Sequence, residues 1–358
     1  MSRTALLASS AGLLALGGLV LVSATRWDGP GLPARQAVAA AVGLALGLAL
    51  YRWPVRRATW ALYALGLASL VAVLAVGSSA KGAQRWLWLG PLGTVQPSEP
   101  MKLLLVLALA DLLSRRRAFF SAWVVAGIPF LLVAAQPDLG TGLVLVATAF
   151  GMLFVSRTSP VYLAGVATAG LAGLTFVLKD YQRDRLLVFL QPDVDPMGVG
   201  YSLAQSRTAI GSGGLFGKGL FAGHLTQNGF VPENWTDFAF TVVGEELGLV
   251  GCLGLLLLVA VQLGSLLAIA WRRSDSYSRL LASGVAVMLG FQALVNVAMT
   301  LGMAPVVGVP LPWVSYGGTA MVTNLAAVGL AAGLTRQSPV PAARARPVPV
   351  RRRLPLAS

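Results

Sequence analysis

The stretch FAFTVVGEELGLVGCLGLLLLVAVQLGSLLAIAW, residues 238–271, decides the fold class. It carries no charged residue from 247 to 271, a run long enough to cross about 30 Å of hydrocarbon as a helix. Uncharged runs of this kind recur along the chain, in which 56% of the 358 residues are hydrophobic and 11% are charged. Soluble domains have about 25% charged residues. The composition therefore predicts an all-α, polytopic integral membrane protein with one membrane domain, residues 1–335.

About ten transmembrane helices are predicted, with ends placed to within a few residues. They cover residues 4–25, 34–51, 58–79, 98–114, 118–136, 139–156, 160–178, 238–271, 279–303 and 314–335. The first run is longer than the apolar part of a cleavable signal peptide, so we expect it to be an anchor.

Three of the segments outside these helices are informative. The loop at 79–98 is short and rich in Trp, Gly and Pro. The loop at 179–237, between predicted helices 7 and 8, is much longer than usual, and loops of such length tend to carry function. Residues 336–358 are rich in Pro and Arg, which predicts a disordered basic tail.

Basic residues give the chain a net charge of +14, but their placement argues against nucleic-acid binding. Most lie in the tail or in short loops on alternate sides, which is typical of topology determinants and of contacts with membrane lipids. The arginine-rich loops around 52–57, 115–117, 157 and 272–279 share one side with the tail. The positive-inside rule predicts that both termini are cytoplasmic.

Few residues are available for metal or covalent chemistry. One cysteine and one histidine are present, which excludes an intramolecular disulfide and a His/Cys zinc site. Five of the 13 acidic residues fall at or inside predicted helices, where ionisable groups are costly and indicate function by default. They are Glu99, Asp138, Asp237, Glu245 and Glu246.

Asp237 lies at the start of the predicted eighth helix. If that helix begins near 234–236, one face carries a strip of mostly small residues: Asp237, Thr241, Gly244 and Gly248. Another helix or a substrate can approach this strip closely, or Asp237 caps the helix N-terminus. Glu245 points about 80° away and Glu246 nearly opposite, so we expect both to be structural partners.

Two further acids have similar alternatives. Glu99 and Lys102 are i,i+3 neighbours, and they form either a self-neutralising pair or a lysine oriented to meet an anion. Asp138 either caps the next helix or belongs to a site. Upstream, Lys81 and Arg85 lie beside tryptophans that are typical of a membrane interface.

The glycine-rich part of the long loop does not fit a phosphate-binding P-loop, because Ser212 replaces the first glycine and Gly219 follows Lys218. Arg207 and Lys218 remain as candidate contacts for an anion. The alternative is a plain lipid-facing loop.

Five stretches carry a resemblance to a known family: RWLWLGPLGTVQPSEPMK, QPDLGTG, AQSRTAIGSGGLFGKG, FVPENWTDFAFTVVGEELG and GVPLPWVSYGGT. In this order they resemble motifs of the SEDS family of bacterial cell-wall polymerases, the RodA and FtsW proteins. The forms PLPWVSYGG and GFVPENWTDF are more similar to RodA. Trp235 and Trp313 depart from the family's usual residues.

The resemblance implies a ten-helix inner-membrane glycosyltransferase that polymerises lipid II into glycan strands for cell elongation. Its active site is expected on the extracytoplasmic side, and its partner is expected to be a class B penicillin-binding protein with transpeptidase activity. The matching motifs imply three catalytic residues, with Asp237 as general base: Asp237, Glu99 and Lys102. They also imply substrate-binding residues: Lys81, Arg85, Gln96, Ser98, Asp138, Gln205, Arg207, Lys218 and Ser315.

No motif requires a cofactor, although a divalent cation, Mg²⁺ or Mn²⁺, held by Asp237 or by substrate phosphates is compatible with the sequence. Two alternative functions remain at this point. One is a lipid II flippase or transporter of lipid-linked precursors, and the other is a non-catalytic scaffold for wall enzymes. The outward bias of the acids and the absence of a clear internal repeat weigh against transport.

Overall fold

A computed structural model describes residues 2–27, 29–53, 55–80, 83–88, 90, 93–115, 119–177, 180–191, 195 and 198–336. Lys81 and the tail from residue 337 onward lie outside the described residues. Within them, a helix coincides with each of the ten predicted segments. These helices are α1 (Ser2–Ala24), α2 (Gly31–Arg52), α3 (Thr59–Val76), α4 (Ser98–Arg115), α5 (Phe119–Ala135), α6 (Leu139–Val155), α7 (Pro160–Val177), α11 (Ala239–Trp271), α12 (Ser276–Thr300) and α13 (Gly318–Leu334).

Five of the described helices are long and apolar enough to cross a bilayer: α1, α2, α3 with its preceding 3-10 turn, α11 and α12. Helices α5, α6, α13 and the first part of α7 are apolar but shorter. Helix α4 differs because it contains four charged residues, Glu99, Lys102, Asp111 and Arg115. The protein is thus an integral membrane protein, and ten crossings remain a prediction.

The described part of the chain is mostly helical, which confirms the all-α prediction, and it also contains a small β-sheet. Strands β1 (Ser78–Ala80), β2 (Ala83–Trp88) and β3 (Thr94–Val95) form an antiparallel sheet in the order β1-β2-β3. This sheet occupies the segment predicted as a loop. Strand pairing satisfies backbone N–H and C=O groups of this segment.

The long connection between α7 and α11 is also structured. It contains α8 (Asp180–Leu190), α9 (Val199–Ser212) and the short α10 (His224–Gln227). The central helices of the bundle are α4 and α12, whose side chains are buried along most of their length. Most polar residues on these two helices, including Glu99, Lys102 and Asn296, therefore lie inside the protein.

Helix α11 is broken near its beginning. Gly248 has φ 63° and ψ −161°, a backbone region that is essentially restricted to glycine. The backbone N–H groups of Leu249 and Val250, just past the break, bond to Gly214 O at 2.9 Å and Leu215 O at 3.1 Å. The glycine-rich loop therefore supplies acceptors that an unbroken helix would provide itself.

Candidate functional site

Asp237 lies in a turn that precedes α11, which begins at Ala239, one residue after the predicted start at 238. Phe238 occupies the N-cap position. The turn closes through the N–H groups of Thr236 and Phe238, which both bond to Glu233 O at 3.1 Å. It leaves Asp237 half-buried at the mouth of α11.

The segment after α12, residues 301–317, packs against this turn. Tyr316 N–H donates to Trp235 O at 2.7 Å. The Ser315 hydroxyl donates to Thr236 O at 2.5 Å and accepts from Leu311 N–H at 2.8 Å. The structure therefore gives Ser315, a predicted substrate contact, two backbone partners that connect these segments.

The carboxylate of Asp237 lies close to Gly308 in the same segment. A Cβ built on Gly308 would stand 3.3 Å from Asp237 Oδ2, and Gly308 has φ +72°. The positive φ favours glycine at this position, and a side chain there would also crowd the carboxylate. The Asp237 carboxylate therefore rests against bare backbone.

Helix α12 has a polar face that contacts the Glu99–Lys102 pair, the turn that carries Asp237 and the segment after α12. This face was not predicted from the sequence. It consists of residues four apart: Gln292, Asn296 and Thr300. Asn296 Nδ2 donates to Asp237 O and to Val309 O, both at 2.8 Å. The i,i+4 spacing of these polar residues in an otherwise apolar helix would have allowed this face to be predicted from the sequence.

Glu99 and Lys102 form the predicted pair on α4. Lys102 Nζ lies 2.8 Å from Glu99 Oε2 and donates to Gln292 Oε1 at 2.7 Å. Both side chains are buried, with 4% of Glu99 and 1% of Lys102 exposed. Their pairing is confirmed, and their catalytic role stays a prediction.

Four other groups surround the carboxylate of Asp138. Its Oδ1 accepts from Thr141 N–H at 3.3 Å, so it does cap α6. Its Oδ2 accepts from Gln96 Nε2 at 3.1 Å and from Ser98 Oγ at 3.3 Å. Arg85 Nη1 lies 3.8 Å from Oδ1. The structure thus brings together four predicted substrate-binding residues: Arg85, Gln96, Ser98 and Asp138.

The Asp138 cluster and Asp237 border the same backbone segment. A Cβ built on Gly140 would lie 3.1 Å from Gly308 O, so the start of α6 packs against the segment that Asp237 contacts from another side. The structure therefore places two groups of predicted site residues around residues 307–309.

Glu245 and Glu246 are structural partners, as predicted. Glu245 accepts from Lys218 Nζ at 2.6 Å and from the N–H groups of Leu225 at 2.9 Å and Thr226 at 2.8 Å. Glu246 accepts from Ser23 Oγ at 2.5 Å, Gln227 Nε2 at 3.0 Å and Phe221 N–H at 3.1 Å. Together they hold the long connection onto α11 and α1.

The remaining predicted contacts have separate positions. Lys218, expected to meet an anion, is paired with Glu245 in the structure. Arg207 is exposed, and its Cδ lies 3.1 Å from a Cβ built on Gly302. Gln205 is half-buried on α9. The strip of small residues on α11 is covered by α9, since a Cβ on Gly244 would meet Ile210.

Among the described residues, no group of three or more His, Cys, Asp and Glu side chains is placed to hold a metal ion. A cation at Asp237 would therefore take its other ligands from groups other than His, Cys, Asp and Glu side chains, such as backbone carbonyls, water or substrate phosphates.

Comparison with known proteins gives three consistent matches. The profile of the FtsW/RodA/SpoVE family, described as "Cell cycle protein", matches residues 1–339. "Peptidoglycan glycosyltransferase MrdB" of Escherichia coli is 42% identical over 332 residues, covering 89% of each chain. A crystal structure of the rod shape determining protein RodA of Thermus thermophilus is 34% identical with a TM-score of 0.69, covering 92% of this chain and 95% of that one.

A further solved structure is described as "Structural coordination of polymerization and crosslinking by a peptidoglycan synthase complex". One of its chains is 36% identical to this protein, with a TM-score of 0.80 and coverage of 92% and 96%. The match to a solved RodA agrees with the RodA-like form of the sequence motifs.

Proposed function

Because the chain belongs to the FtsW/RodA/SpoVE family of cell cycle proteins, we propose that it is a peptidoglycan glycosyltransferase that polymerises lipid II. The observation that carries this proposal is the position of Asp237. Its half-buried carboxylate lies against Gly308, and its backbone carbonyl accepts a hydrogen bond from Asn296. A base must be held in one orientation to act on a bound hydroxyl.

In the proposed reaction, Asp237 accepts the proton of the acceptor sugar's 4-hydroxyl. The freed oxygen attacks the anomeric carbon of the donor, and the bond from that carbon to the lipid pyrophosphate breaks. Undecaprenyl pyrophosphate leaves with the bonding electrons, so an α-linked donor gives a β-linked product. An inverting glycosidase needs a second carboxyl group as acid, whereas pyrophosphate leaves without one.

Cationic groups near this site are proposed to offset the pyrophosphate charge. Arg85 is 29% exposed and Arg207 is exposed, so both are accessible. Lys102 contributes a positive charge that Glu99 and Gln292 hold in place. Lys218 is assigned instead to the long connection, because its partner Glu245 also accepts hydrogen bonds from the backbone of Leu225 and Thr226 there. No step depends on a Mg²⁺ or Mn²⁺ ion.

The proposed topology places this site on the extracytoplasmic side of the bacterial inner membrane, with both termini cytoplasmic. The positive-inside rule supports this orientation, and lipid-linked substrates enter such a site with their tails in the bilayer. We further propose a class B penicillin-binding protein as partner. The support is the similarity to a chain of a peptidoglycan synthase complex that couples polymerization and crosslinking.

Asp237→Asn keeps the side-chain size and removes the base. We expect the purified variant to make no glycan from lipid II in detergent, with a loss of at least about 100-fold in rate. Asp275→Asn is the matched control, since Asp275 caps α12 through Ser278 N–H and asparagine caps equally well. Wild-type-like polymerisation by Asp237→Asn would rule out the base assignment.

The same assay separates the enzyme from the flippase and scaffold alternatives. Detergent micelles have no second leaflet, so a flippase has no activity there, and a scaffold makes no polymer. If purified wild-type protein alone makes no glycan, addition of the transpeptidase partner tests whether polymerisation needs the complex. Absence of polymer in both conditions would contradict the proposed function.

A further inference from the structure

Asn296 connects the two backbone segments that surround the Asp237 carboxylate. Its Nδ2 donates to Asp237 O in the turn before α11 and to Val309 O in the segment after α12. Between these two bonds lies Gly308, the residue against which the carboxylate rests. The amide group of Asn296 therefore binds both the backbone of Asp237 and the segment against which the Asp237 carboxylate lies.

The orientation of this amide is determined by its neighbours. Both neighbouring groups are carbonyl oxygens, which only accept hydrogen bonds, so the NH₂ end of Asn296 must face them. Its Oδ1 atom is buried and has no hydrogen-bond partner among the residues that the structure describes. The amide is therefore held through its NH₂ end, by one bond to each segment.

We propose that Asn296 is a positioning residue for the Asp237 base. It acts through the backbone carbonyl of Asp237 and fixes the distance between the carboxylate and residues 307–309. Without its two bonds, the turn and the segment remain joined through Ser315 and Tyr316, but residues 307–309 lose their link to the backbone of Asp237, and the carboxylate loses its fixed approach to the acceptor hydroxyl. The catalytic part of this inference rests on the proposed function, whereas the positional part does not.

Two substitutions test the proposal. Asn296→Leu has a similar branched shape and no donor, so it removes both bonds, and an apolar side chain is compatible with this buried helix. Asn296→Asp is protonated in this buried setting and keeps one donor. Asn324→Leu is the matched control, because Asn324 is a buried asparagine of α13. No hydrogen bond in the described part of the chain joins its side chain to residues 233–238 or 307–311.

The first measurement is amide hydrogen exchange in peptides that cover 233–238 and 307–311. We expect Asn296→Leu to speed exchange in both peptides by about tenfold or more, since local opening no longer breaks these bonds. Asn324→Leu leaves these two peptides at the wild-type rate. Unchanged exchange in Asn296→Leu overturns the proposal, and so does equal acceleration in the control.

The second measurement is steady-state polymerisation of lipid II, normalised to monodisperse protein. We expect kcat of Asn296→Leu to fall by about 10- to 100-fold, with KM within about threefold of wild type, and Asn296→Asp to lie between. A merely structural role lowers yield without changing kcat per folded molecule, and that result also overturns the proposal. If wild-type protein and its complex make no glycan, the proposed function fails, and hydrogen exchange still decides whether Asn296 positions the turn.

Discussion

The Glu99–Lys102 pair lies almost entirely out of contact with solvent. Its members are separated by 2.8 Å, and Gln292 supplies a further partner for the ammonium group. Removal of one member of a buried pair leaves an uncompensated charge, which costs about 3–5 kcal/mol. Removal of both with apolar replacements costs much less.

We expect Glu99→Gln to lower the melting temperature of the detergent-solubilised protein strongly. The double variant Glu99→Gln with Lys102→Met should recover most of the loss, because no unpaired ammonium remains. Scanning fluorimetry compares wild type, both single variants and the double variant. If the double variant is as unstable as the sum of the singles, the pair is not coupled in the folded protein.

At the level of elements, α11 and the long connection stabilise one another at the break. Lys218 N–H and Gly219 N–H bond to the carbonyls of Glu245 and Glu246 at 3.0 and 2.9 Å. The two glutamates, by their side chains, bind the connection a second time. At the break, bonds to the long connection therefore replace some of the helix's own hydrogen bonds. The position of Asp237 consequently depends on how well this connection is ordered.

Gly248→Ala tests this arrangement, since alanine cannot adopt φ 63° and ψ −161° without strain. We expect a stability loss of about 1–3 kcal/mol and faster proteolysis between residues 213 and 219. Gly254→Ala in the same helix is the control, because a Cβ there meets open space and alanine favours the helix. Equal behaviour of the two variants would contradict a strained break at Gly248.

At the scale of the whole molecule, the distribution of arginine predicts which loops face the cytoplasm. The loop after α11 contains Arg272 and Arg273, whereas the connection that contains α10 lies at the other end of α11. The part of α11 after Gly248 covers residues 249–271, about 34 Å of helix, which is enough to cross about 30 Å of hydrocarbon.

Cysteine labelling in intact spheroplasts measures this orientation. In a Cys252→Ser background, we expect Asn228→Cys to react with a membrane-impermeant maleimide and Arg272→Cys to react only after permeabilisation. Both positions are exposed, so protection reports the side of the membrane and not burial. The reverse pattern would show that the orientation, and with it the proposed extracytoplasmic site, is wrong.

The positions of ten of the described helices could be predicted from the sequence to within a few residues. A run of about 20 apolar residues has one stable solution in lipid, because only a helix satisfies its backbone hydrogen bonds within the segment. The ion pair of Glu99 with Lys102 and the cap formed by Asp138 were also predictable, since each depends on residues at most three positions apart.

The sequence by itself thus determined the membrane class, the helices and the local pairs, because these depend on contacts between near neighbours and on transfer from water to lipid. Only the tertiary structure decided that Asn296 holds Asp237, that Lys218 belongs to Glu245, and that Gly248 breaks α11. Asn296 lies 59 positions from Asp237 and Lys218 lies 27 from Glu245. No local periodicity specifies such pairs, since each exists only where packed helices bring donors and acceptors from distant segments together.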